Sequence, residues 1–232
     1  MESRDRWPLG RRGEPLRPRA QPGYYPGFET LRQQAYWDEA TRRVILDRVH
    51  HVPSIRFFSA DAARLLTAIC DRLLPQDDRD AEHRVPIAPW IDHRLFEGRS
   101  AGYRYEDMPP DPDAYRLGLA GIDAGAQAAY GVPFVELDVA RQDAVLKSIH
   151  DGKPIGGEEI WQRMPPHHYW LLLLSDVVAT YYAHPYAWDE IGFGGPAYPR
   201  GYMRLENGLP EPWESAERRY EWRAPPASRA AP

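Results

Sequence analysis

The chain has 232 residues, 43% hydrophobic and 27% charged, with 29 Lys+Arg against 34 Asp+Glu and a net charge of −5. That length can bury the core of one domain with extensions, and the charge balance excludes the broad basic surface that nucleic acid would need. The single cysteine, Cys70, excludes an internal disulfide, a Cys-rich metal or iron–sulfur site and a CxxCH haem attachment.

Residues 1–27 carry six arginines against three acids, with five prolines and four glycines, and are expected to form a flexible N-terminal arm. Arg11–Arg12 has the look of a twin-arginine start, but no apolar stretch follows it, so no signal peptide is expected. One helix is expected over 28–50, through Leu31, Trp37, Thr41, Val44, Ile45 and Val49, closed by Pro53. A second starts behind Ser59, an N-cap, with Asp61 in its first turn and Leu66, Ile69, Cys70 and Leu73 as its stripe; Pro75 ends it.

The loop that follows holds Asp77, Asp78, Asp80, Glu82 and His83, without the glycine and the alternating ligand frame of a calcium loop, so it reads as solvated. A short helix over 88–96 is expected to turn Trp90, Ile91, Leu95 and Phe96 inward. The next runs over 113–130 with Tyr115, Leu119, Ile122, Ala126 and Ala129 in register, and Gly131 closes it. Asp138 caps a helix reaching His150, with Leu146 and Ile149 inward.

The stretch from Pro165 to Trp213 organises the rest. Pro165 and Pro166 suit a helix start, and Trp170, Leu173, Leu174, Val177, Val178 and Tyr181 recur at helical spacing. Leu171 and Leu172 widen the apolar surface, which predicts a central helix flanked on more than one side, with Tyr169, Asp176 and Thr180 away from the main stripe. It is too short to span a bilayer and contains Asp176. Pro185 should stop it near Ala183.

Residues 181–213 then hold eight aromatics, five glycines and five prolines, a composition too aromatic for a disordered linker. The fold class is therefore mainly α: a helical domain over 28–213 with a long ordered aromatic, Gly- and Pro-rich C-terminal loop region, and a tail over 214–232.

No cofactor motif is present. Gly192-Phe-Gly194-Gly195 lacks the third glycine and the preceding strand of a dinucleotide fingerprint, and neither a phosphate-binding lysine loop nor a G-x-S-x-G elbow occurs. His167, His168, Asp176 and His184 could be imagined around a metal, but His168 and Asp176 stand two turns apart on different azimuths and no E-x-x-H pair of the di-iron type accompanies them. Asp176, on a nearly all-round apolar helix, reads as a structural buried acid needing a hydrogen bond from loop backbone or an arginine, with acid–base work as the minority reading. His184, Tyr186, Trp188, Asp189, Glu190, Phe193, Tyr198 and Tyr202 are candidates for a partner contact or a pocket.

Three ordered blocks give the chain a resemblance: FFSADAARLLTAICDRLLPQDD with IAPWIDHRL, then YRLGLAGIDAGAQAAYGVPFVELDVARQDAVLKSI, then LLLLSDVVATYYAHPYAWDEIGFGGPAYPRGY. Together, over about residues 57–203, they resemble the gluconate 2-dehydrogenase subunit 3 family, the small subunits that accompany flavin-dependent sugar or polyol dehydrogenases. The resemblance implies a helical accessory subunit with no cofactor of its own and no catalytic set. It also implies a large partner of the GMC type that carries FAD, with a cytochrome subunit as a further electron acceptor. The chain departs from the family pattern in lacking the apolar segment behind its arginine pair, and in placing only Tyr186 and Ala187 between His184-Pro185 and Trp188. The cytoplasm is the expectation from the sequence, and the periplasm if a partner carries the chain across. The alternatives are a stand-alone enzyme with a polar site near Asp176, His184 and Asp189, and a binding module unrelated to redox chemistry.

Overall fold

The computed structural model describes residues 30–100, 102–191, 193, 195 and 196; the expected arm, Tyr198, Tyr202 and the tail lie outside the described residues. Eight α-helices, three 3-10 segments and no strand occur among the described residues. The chain divides into two compact units, Arg48–His184 and a second formed by the chain up to Asp47 with that from Pro185 on.

In the second unit, the helix expected over 28–50 is two elements. A 3-10 turn over Thr30–Tyr36 gives way to α1, Glu39–His50. The break is chemical: the Asp38 carboxylate accepts the Thr41 N–H at 2.8 Å and caps a fresh helix, while the Arg42 guanidinium donates to the Gln34 and Trp37 carbonyls behind it. The C-terminal part of this unit opens with α8, Pro185–Ile191, where a loop was expected. Pro185 ends one helix and starts the next, because at a first helical position its missing N–H goes unneeded. Trp37, Ile45 and Trp188 form the core of this unit, with Leu31 packed against it; Val44 is exposed.

The larger unit is built around one helix. α7, Pro166–Tyr182, packs against α2 (Ala60–Leu73), α3 (Ile87–Phe96), α4 (Asp111–Tyr130) and α5 (Val139–His150). That central placement follows its wide apolar surface, and the helix ends at Ala183 as Pro185 requires. Its buried stripe is Tyr169, Leu173, Val177 and Tyr181, at a strict i, i+4 spacing. Tyr169 thus belongs to the core and Val178 is exposed, reversing the expected places of both. The azimuth is set by the neighbours: Gly118 of α4 lies directly under the Tyr169 ring, where an added Cβ would sit 2.0 Å from ring carbon. One turn on, Gly121 makes the same room for Trp161 of α6, Glu158–Trp161.

Capping chemistry read from sequence sets the other helices. Ser59 accepts the Ala62 N–H and Asp138 the Arg141 N–H, while Gly131 closes α4 with a left-handed φ of 74°. Ala129 faces solvent, one turn beyond the last core position of α4, Ala126. In α3, Ile91 and Leu95 are buried as expected, but Phe96 is exposed beneath the Arg56 guanidinium and Trp90 is only half-buried. The inward face belongs instead to Asp92, fully buried, whose carboxylate accepts the backbone N–H groups of Arg56, Phe57 and Phe58 at 2.8, 3.0 and 2.8 Å. Three donors compensate the desolvation of the charge and fix the chain ahead of α2.

Candidate functional site

Asp176 sits on the flank of α7 that meets α3 and α4, 18% exposed. Its Oδ2 accepts a hydrogen bond from the Arg94 guanidinium of α3 and one from the Tyr115 hydroxyl of α4 at 2.7 Å. Arg94 is held from its other side by Asp111 at 2.7 Å and by the Arg99 carbonyl at 2.9 Å. One acid therefore braces three helices.

Burial pushes the Asp176 carboxyl above its ordinary value, with the Arg94 charge and the two donors pulling the other way. Burial opposes the Arg94 charge, but the Asp111 hydrogen bond and the Asp176 field more than offset it and raise its pKa. Burial first, then Asp176, pushes the Tyr115 phenol well above its usual range, so it stays a donor. The arginine partner expected for Asp176 is Arg94. This arrangement holds charge in place.

The C-terminal end of α7 is closed by Arg48, which donates to the Ala183 carbonyl at 2.8 Å, an orphan acceptor of the last turn. The buried His184 ring approaches the Arg48 carbonyl through Nε2 at 3.1 Å. Burial, partly countered by that carbonyl, pushes its pKa down to about 4, so it is a neutral donor at neutral pH.

Two clefts lie along the same flank of α7, and Asp176 lines both. The first, about 320 Å³, has Arg48, Arg94, Arg99, Trp90, Thr180 and His184 in its wall. The second, about 340 Å³, is aromatic and apolar: Tyr103, Tyr105, Met108, Leu171 and Leu172, with His168 stacked on Tyr105 at 3.9 Å between ring centroids and bonded to Asp107.

Of the residues expected to meet a partner or line a pocket, His184 and Trp188 are buried, and Tyr186, Asp189 and Glu190 half-buried. Trp188 is core, as above, with Phe193 edge-on at 5.4 Å. Asp189 accepts from both the backbone N–H and the hydroxyl of Thr30, at 2.7 and 2.6 Å. Phe193 is 36% exposed and Ile191, near it in sequence, 55%.

The profile of the family described as gluconate 2-dehydrogenase subunit 3 matches residues 60–195, more than half of the chain. The chain belongs to the gluconate 2-dehydrogenase subunit 3 family. No curated protein and no solved structure matches it. The family match begins with α2 and ends just beyond α8, so it spans the Arg94–Asp176–Tyr115 brace, the second cleft and all of the first but Arg48. Sequence reasoning singled out Asp176 and His184 but missed Arg94, Arg48 and Arg99. Nothing local marks them: each is an arginine on a helix end or loop, and only the approach of α3 to α7 gathers two of them at one cleft.

Proposed function

We propose that this chain is a non-catalytic accessory subunit that stabilises, or assists the assembly of, a flavin-dependent sugar or glycoside oxidoreductase. The observation that carries the reading is membership of a family described as a dehydrogenase subunit, matched from α2 through α8. The partner of this reading is a large GMC-type chain that carries FAD, with a cytochrome subunit as electron acceptor. The local chemistry agrees with it. Asp176, His184 and Asp189 each have a structural partner, in Arg94, the Arg48 carbonyl and Thr30. A site that braces helices serves assembly better than turnover.

Purification of the native complex from its host, followed by an absorbance scan for bound flavin and separation of the subunits, tests the reading. The expected result is a flavin-bearing large chain in fixed ratio with this one. A chain recovered only as a monomer, with no flavoprotein, would sink it.

A further inference from the structure

The two clefts share Asp176 in their walls and follow one another along the same flank of α7, as a trough. From Leu171 to Ala183 it runs roughly 18 Å at 1.5 Å per residue, the length of about three helical turns. Its ends differ in chemistry. At one end Tyr103 is 73% exposed and Leu171 37%, an apolar and aromatic rim.

Of the lining carboxylates, Asp111 shares the cleft of Tyr103 and Leu171 and Asp176 borders both clefts, and each is committed to Arg94. Arg48, Arg99 and Arg104 line the trough as well, and among the described residues none of these three guanidiniums has a carboxylate partner. A local excess of positive charge in a chain of net charge −5 is a feature of this trough, not of the surface at large.

We propose that this trough receives a segment of the flavoprotein partner that presents an acidic side chain to Arg99 and Arg104 and an apolar or aromatic one to the Tyr103–Leu171 end. The proposal rests on the accessory-subunit reading and names where that subunit grips. Charge complementarity selects the acid, because a guanidinium left without an anion in a closing interface costs more than it gains. The apolar rim supplies the buried anchor on which most interface energy rests. Two adjacent clefts that share Asp176 suit successive side chains of one segment. A second copy of this chain fits poorly: around a two-fold axis through the trough the same guanidiniums would face one another.

The test uses the full chain in its native host. A benzophenone amino acid replaces Leu171, and in a second strain Val139, an exposed apolar residue of α5. Irradiation is followed by mass spectrometry of the cross-linked peptides, and assembly strength is compared for the R99E/R104E pair. Both arginines lie on a surface loop, so the fold, read by circular dichroism, should be unchanged.

The expected result is a cross-link from position 171, and not 139, to a flavin-bearing chain, at a peptide holding Asp or Glu beside an apolar residue. Assembly of R99E/R104E should weaken about tenfold or more. If the flavin complex forms but cross-links only through 139, or R99E/R104E assembles like the wild type, the trough is wrong while the accessory reading stands. A cross-link to another copy of this chain overturns the proposal in favour of self-association. Recovery of no flavin-bearing chain defeats the accessory reading first and the trough with it.

Discussion

Asp92 and Asp176 are the same residue type on neighbouring helices, and each is drawn largely out of water. Asp92 is fully enclosed and accepts from three backbone N–H groups of one segment, residues 56–58. Asp176 keeps some exposure, bonds two side chains from two helices through one oxygen, and looks onto two clefts. The difference separates an acid that shapes the chain from an acid that shapes a surface. Backbone donors are fixed by the fold and leave nothing for a visitor. Side-chain donors hold helices together while leaving neighbouring guanidiniums at a rim.

The largest effect should come from Asp92. Asp92→Ala strands three backbone donors, and a loss on the order of 3 kcal/mol or more is expected, read as a fall in the urea midpoint at constant slope. A variant of wild-type stability would break the comparison.

A pH series tests a third enclosed group, His184. Its pKa, about 4 in the folded chain against 6.5 when unexposed to burial, means that the unfolded state takes up a proton first as pH falls. The stability is therefore fully present above about 6.5, declines between 6.5 and 4, and changes no further below 4 on this account. The whole decline is roughly 3 kcal/mol at 1.36 kcal/mol per pKa unit. His184→Gln should flatten that slope, and a slope untouched by the change would remove His184 as its source.

Gly118→Ala presses a methyl group onto the Tyr169 ring, at a cost of about 1–3 kcal/mol in thermal or urea unfolding. Because Tyr169 packs edge-on against Tyr115 at 6.2 Å, this variant should also loosen the Asp176 brace, seen as faster amide exchange at the α4 and α7 segments.

Asp176→Asn keeps the shape and one acceptor, so its expected cost is smaller, about 1–2 kcal/mol. On the proposed accessory role, its larger consequence should fall on assembly with the partner chain. Equal destabilisation by Asp92→Asn and Asp176→Asn would erase the distinction between the two acids.

The smallest effect is a rate. Burial raises the Cys70 thiol far above its ordinary value, so a thiol reagent at pH 8 should label it only through unfolding. Labelling as fast as that of a free peptide would show α2 to be loosely packed.

Much of the helical framework was legible because its signals are local. Ser59, Asp138 and Gly131 act within four residues of where they stand, and the Pro166–Tyr182 helix announces itself by apolar spacing. The failures are equally specific. Asp38 caps a new helix inside a stretch whose apolar spacing alone predicts one continuous helix. Pro185 was read only as a stop, although it also starts α8. Phe96 and Val178 were placed inward by hydrophobicity alone, whereas Asp92 and Tyr169 won those directions through partners distant in sequence.

The sequence by itself determined the helical class, the central position of the Pro166–Tyr182 helix, the family and the need of Asp176 for a hydrogen-bond partner, loop backbone or an arginine. Each of these depends on composition, periodicity or ordered motifs, which survive without knowing how segments meet. The tertiary structure alone decided that the partner is Arg94, 82 positions away, that Trp188 belongs to a core, and that arginines from three separate stretches line one trough. Such pairings have no local signature, because they depend on which faces of two helices come together when both bury their apolar sides.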